Sequence, residues 1–182
     1  MSLVETFYDV DNFCQHFESG WDKYLLRSGL QQRKRKGNLS LSEIMIIMIH
    51  FHQSGYRTFK DYYQKHVQKY LRPEFPRLVS YSRFTRLMAR SFVPLVFYLL
   101  SKKGDCTGIA FVDSTPLRVC KNKRINAHKV FSGLAATGKG TKGWFYGFKL
   151  HLVVNEYGEI LSFQLTPGNV DDRKPLSFLF EG

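Results

Sequence analysis

Through residue 104 the apolar side chains recur at the three-to-four spacing of helices, and after Asp105 they alternate with the two-residue period of strands. The clearest helix start is Ser40-Leu41-Ser42-Glu43, in which the Ser40 hydroxyl and the Glu43 carboxylate can each cap the other's free backbone amide. Ile44, Ile47, Met48 and Phe51 then form one apolar stripe, and Ser54-Gly55 marks a stop. The spacing predicts a second helix over Thr58–Lys69 with Phe59, Tyr62, Tyr63 and Val67 inward, and a loop from Arg72-Pro73 to Pro76-Arg77. A third helix is expected over Ser82–Arg90, with Phe84, Leu87 and Met88 inward and Arg83, Arg86 and Arg90 outward. An apolar helix over Val93–Leu100 closes this half, with Pro94 near its first turn, where a missing amide costs little.

Beyond the divide at Lys102-Lys103-Gly104-Asp105, Gly108–Val112 reads as a short buried strand ending at Asp113. A long irregular stretch broken by Gly133, Gly138 and Gly140 follows, reaching Gly143. Phe148, Leu150, Leu152 and Val154 then face one way and Lys149 and His151 the other. A turn at Asn155-Glu156-Tyr157-Gly158 leads into a return strand over Ile160–Thr166, and Asp171–Phe180 has the pattern of a helix start. The pattern is that of an α+β chain, with an all-helical domain over 1–104 and a strand-rich domain over 105–182.

Charge narrows the function. The chain carries 27 Lys and Arg against 15 Asp and Glu, a net charge of +12, which for a globular chain points to nucleic acid. The excess lies in both halves, and one window, Ser114–Asn155, contains Arg118, Lys121, Lys123, Arg124, Lys129, Lys139, Lys142 and Lys149 with no acid. The longest apolar run, Ile44–Ile49, is far short of the ~20 residues that cross a bilayer. No basic segment precedes an apolar stretch at the start, and three widely spaced cysteines fit reduced thiols, so an intracellular setting is expected.

Asp113 ends its predicted strand just before the basic window, where a carboxylate beside a cationic groove suits a divalent cation acting on phosphodiesters. As residue types alone, Asp113-Ser114-Thr115-Pro116 also reads as an ordinary Asx turn. Asp171 and Asp172 fit dipole-complementing acids at a helix start. An antiparallel meander would bring Asp172 to the same sheet edge as Asp113, roughly 10 Å away, in a supporting role rather than as a metal ligand. Arg33-Lys34-Arg35-Lys36 is either a solvated loop or a phosphate contact. Arg57, Lys60, Arg83, Arg86 and Arg90, interleaved with Tyr56, Tyr62, Tyr63 and Tyr81, resemble the outer face of a helical DNA-binding module, though such aromatics are more often core than stacking platforms. Cys106, Cys120, His128 and His151 lack zinc-site spacing.

Phe111-Val112-Asp113-Ser114-Thr115, Gly147-Phe148-Lys149-Leu150-His151 and Leu165-Thr166-Pro167-Gly168-Asn169-Val170-Asp171-Asp172 together resemble bacterial insertion-sequence transposases of the DDE type. The resemblance implies a ribonuclease H-like catalytic domain with a mixed sheet, preceded by a helical domain that recognises the element's ends. Three carboxylates would hold two Mg²⁺ (or Mn²⁺) ions, with Asp113 matching the first. The second and third acids find no assigned position, so the sequence reads as a truncated, amino-terminal portion, a fragment not expected to bind the metal tightly by itself. The implied partner is double-stranded DNA at terminal repeats, contacted through Arg33, Lys34, Arg35, Lys36, Arg83, Arg86, Arg90, Arg118, Lys121, Lys123, Arg124 and Lys149. No membrane is involved, the setting is the bacterial cytoplasm and nucleoid, and a homo-oligomer stays open. The alternative is a DNA-binding fragment or regulator of transposition without catalysis.

Overall fold

The computed structural model describes residues 2–29 and 37–180, which divide into two compact units, Met1–Ser101 and Lys102–Gly182. The basic cluster Arg33, Lys34, Arg35 and Lys36 lies outside the described residues.

The first unit is helical. α1 spans Leu3–Arg27 and opens with a capping box in which Ser2 and Glu5 satisfy each other's amides. α2 spans Leu41–Gln53 and opens with the Ser40–Glu43 box read from the sequence. Its apolar residues differ from the expected single stripe. Ile44, Ile46 and Ile47 join a core with Tyr62, Tyr63, Val67, Phe84 and Leu87, while Met45 packs with Val10 and Cys14 of α1. α2 is thus buried on two sides, and each fully covered aliphatic side chain stabilises the unit by about 1.5–3 kcal/mol.

The expected helix over Thr58–Lys69 is present, capped by Thr58, but its path changes on the way. Phe59–Asp61 is α-helical, Tyr62–Val67 is π-helical and Gln68–Tyr70 is α-helical again; together these form α3. Consecutive side chains on an α-helix point about 100° apart. The widened turn sets both Tyr62 and Tyr63 in the core at 0% exposure, so neither is a surface stacking platform. The Tyr62 hydroxyl meets His50 Nδ1 at 2.9 Å, and the Tyr63 hydroxyl donates to Val79 O at 2.7 Å. α4, Tyr81–Met88, is capped by Ser80 and passes through a 3₁₀ turn, Ala89–Ser91, into α5, Phe92–Ser101. Tyr98 of α5 donates to Asp9 of α1 at 2.6 Å. No described helix is long and apolar enough to cross a membrane.

The second unit is a four-stranded antiparallel sheet: β1 Ala110–Cys120, β2 Ala136–Gly140, β3 Gly143–Asn155 and β4 Ile160–Pro167. The long β3 carries β1 along one edge, and β2 and β4 share the other, pairing with its first and second halves. Three expectations are corrected here. β1 does not end at Asp113 but continues through Pro116, which a strand paired on one side only can accommodate because the missing N–H can face the open edge. Nor is it buried: Phe111, Val112 and Leu117 are 58%, 43% and 41% exposed. The stretch expected to be irregular contains a 3₁₀ segment, Asn122–Ala127, and the whole of β2.

Turn chemistry shapes the β3–β4 hairpin as expected. Asn155 Oδ1 accepts from the amides of Tyr157 and Glu159, and Gly158 supplies a φ of +79°. After β4 the helix is shorter than the sequence suggested: α6 is only Leu176–Phe180, and Asp171 and Asp172 lie in the turns before it. This returning segment requires glycine at position 138, where any Cβ would collide with the carbonyl oxygen of Gly168.

Candidate functional site

Alternation assigns the faces of the sheet. Asp113 stands opposite Leu152 and Ser114 opposite His151, so neighbours in β1 point to opposite sides. Phe111, Asp113, Thr115, Leu150, Leu152, Phe163 and Leu165 share one face; Ser114, Lys149, His151, Val153 and Thr166 share the other. The face with the polar pattern is the one that is covered: His151, Val153 and Thr166 are 1%, 2% and 7% exposed. Several of its polar groups find partners, although Gln164 Oε1, on the same face, is buried without one among the described residues. His151 Nε2 meets Thr166 Oγ1 at 2.9 Å, and Lys149 Nζ donates to Val170 O at 2.8 Å and to Asp172 Oδ1 at 2.9 Å. Ser114 Oγ donates to the same carboxylate oxygen at 3.0 Å.

Lys149 therefore does not project as a free phosphate contact; its side chain is 12% exposed and tied to the segment after β4. Its ammonium, helped by the Ser114 hydroxyl, holds the Asp172 carboxyl below the usual carboxylate range against the opposing effect of burial. Asp172 thus sits one residue's width from Asp113 along β1 but across the sheet from it, so the two acids are near each other without facing a common point. Asp113 is exposed, and among the described residues it has no hydrogen-bond or ion-pair partner.

The other candidate residues are spread over two surfaces. Arg83 and Arg86 lie on the outer face of α4 and Arg90 on the following turn, all exposed. No acid occurs between Glu74 and Asp105, a second acid-free window that the charge count could have revealed. Arg118 is exposed on β1, and Lys121, Lys123 and Arg124 are exposed around the 3₁₀ segment. Among the described residues, none of these cations is held in an ion pair.

A strand that carries an exposed aspartate, an exposed contact in which Asp172 joins Ser114 of that strand to Lys149 of β3, and a basic loop occupy the second unit. Residues 103–182 match the transposase DDE domain family. The match covers nearly all of that unit and bears out the resemblance to DDE-type transposases read from its three motifs. No curated protein and no solved structure matches the chain. Transposase DDE domains generally use divalent metal, but among the described residues no group of three or more His, Cys, Asp or Glu could hold an ion. Beside Asp113 on its face stand Phe111, Thr115 and Leu152, and Asp172 is engaged on the other side. The described residues of this DDE unit do not by themselves form a two-metal centre.

Two histidines, His151 buried and His50 half-buried, make the fold sensitive to acid. Burial lowers the pKa of His151, with Asp172 opposing, and burial followed by the nearby His66 lowers that of His50. Both stay neutral in the folded chain below the pH at which the unfolded chain takes up protons. Their stabilisation is therefore complete above the ordinary histidine value of 6.5 and declines as pH falls from there toward the lowered values. Melting curves between about pH 7 and pH 5 are expected to show a falling midpoint, and His151→Gln to flatten that slope.

Proposed function

We propose that this chain is a DNA transposase of a bacterial mobile element, acting at the nucleoid. The helical unit binds the double-stranded ends of the element, and the DDE unit brings the phosphate backbone to Asp113. The observation that carries this reading is the transposase DDE match over 103–182 combined with an exposed Asp113 followed by a window of eight bases and no acid. Arg83, Arg86, Arg90, Arg118, Lys121, Lys123 and Arg124 supply phosphate contacts, and the Arg33–Lys36 cluster adds to them. Asp113 contributes one carboxylate of the catalytic set. Lys149 and Asp172 act as positioning residues: Asp172, held by Lys149, accepts from Ser114 and so fixes β1 at the residue that follows the aspartate. Because the described residues provide no companion acids on the Asp113 face, a regulator that binds the same ends without cutting them is the second reading.

A band-shift titration with duplex DNA carrying the element's terminal repeats tests the first step. Binding at low salt is expected to weaken by about 10³-fold or more at physiological salt, as for a protein making several phosphate contacts. Nicking assays on the same duplex with Mg²⁺ or Mn²⁺ separate the readings. Cleavage lost in Asp113→Ala favours the transposase, and specific binding without cleavage favours the regulator. A chain that binds no duplex even at low salt would sink both.

A further inference from the structure

The two tryptophans of the chain sit in opposite circumstances. Trp21 on α1 is stacked between Phe17, at 5.7 Å and 15°, and Tyr24, at 5.5 Å and 28°. Trp144 on β3 is 61% exposed and, among the described residues, its indole has no ring contact. Phe111 on β1 is open to a similar extent, 58%, so it is the set of cations around the ring that distinguishes Trp144.

Its backbone is firmly seated. Phe145, the next residue, is 0% exposed, and Trp144 O accepts from Asn122 Nδ2 at 3.1 Å, which ties the 3₁₀ segment to the strand. Lys139 of β2 stands directly opposite Trp144 and shares its face, while Lys142 lies in the connecting turn. Lys121 and Lys123 flank Asn122. All four lysines are exposed and free of ion pairs among the described residues. An open π-face on a rigid strand with unpaired cations beside it has the composition of a stacking platform for an unpaired nucleobase, the lysines holding the phosphates on either side.

We infer that Trp144, with Lys139, Lys142 and the Asn122 segment, forms a binding site for single-stranded DNA, in which an unstacked base lies on the indole. This rests on the DNA-binding reading above and adds a site that duplex binding does not require. Base stacking on one aromatic ring changes affinity by about tenfold or more, and any ring can provide it.

The test uses the full chain with Trp21→Phe, so that Trp144 is the sole tryptophan. Its fluorescence is titrated at low salt with a thymidine homo-oligonucleotide and, separately, with a duplex. The oligonucleotide is expected to quench Trp144. Trp144→Ala should weaken oligonucleotide binding about tenfold or more and leave duplex binding unchanged, while Trp144→Phe should keep most of the affinity. Lys139→Gln with Lys142→Gln should reduce the salt dependence of oligonucleotide binding. Unquenched fluorescence, or an Ala variant that binds the oligonucleotide as tightly as its parent, overturns the site. If the duplex still binds in that case, the DNA-binding reading survives; if neither nucleic acid binds, both fall.

Discussion

Phe84→Ala is expected to be the most damaging single change in the helical unit. The ring is 0% exposed, lies 4.7 Å from Tyr63 and 5.6 Å from Phe59, and joins α4 to the core that α2 and α3 share. Truncating a fully buried phenylalanine costs about 3–5 kcal/mol, made up of lost transfer energy and an unfilled cavity. A domain of this size holds only about 5–15 kcal/mol in total. Thermal melts followed by the helical signal should show a midpoint lower by more than ~12 °C, because each kcal/mol shifts a small domain by about 4–8 °C. Phe92→Ala provides the control. That ring is 68% exposed, so its loss should shift the midpoint little. An equal shift in the two variants would refute the packing argument.

In the DDE unit the comparable change adds a methyl group. Gly138→Ala would drive a Cβ into the carbonyl of Gly168, a backbone atom that cannot rotate away. Either β2 leaves β3 or the segment leading to Val170 and Asp172 lifts from the sheet, and the Lys149 contacts loosen with it. A cost of about 3 kcal/mol is expected, at the upper end for overpacking, and urea titration would measure it. Gly20→Ala should act in the opposite direction. Gly20 lies within α1 with nothing near the added carbon, so alanine should stabilise that helix by up to ~1 kcal/mol.

What could be read from the sequence was what local chemistry determines. α2 was legible because its Ser40–Glu43 box and apolar period lie within a dozen residues. The equivalent Ser2–Glu5 box at the start of α1 offered the same signal. The facing of Phe148 to Val154 against Lys149 and His151 followed from strand geometry alone. By contrast, β2 is built from Ala136-Thr137-Gly138-Lys139-Gly140, residues that favour no strand by themselves and form one only by pairing with β3. The extension of β1 through Pro116 depends on its lying at a sheet edge, a property of pairing rather than of the dipeptide. The candidate site divides the same way. Asp113 was marked by its neighbours in sequence, whereas the Ser114–Asp172 contact joins residues 58 positions apart and exists only because the chain folds back over the sheet. Tyr62 and Tyr63 are buried as the helical spacing predicted, but the π-helical turn that lets both adjacent residues face the core was not visible in that spacing.

The ion pair between Lys149 and Asp172 also alters what the charge total means for DNA. Of the eight cations between Ser114 and Asn155, one is already neutralised within the protein and has no mobile counterion of DNA to displace. Each phosphate neutralised contributes about 0.9 to the slope of log affinity against log salt for a duplex. Removing the Lys149 charge should therefore leave that slope almost unchanged, while removing Arg118 or Lys121 should reduce it by about one unit each. The number of ions released on binding thus counts the cations that remain free on the folded surface, a smaller set than the basic residues in the sequence.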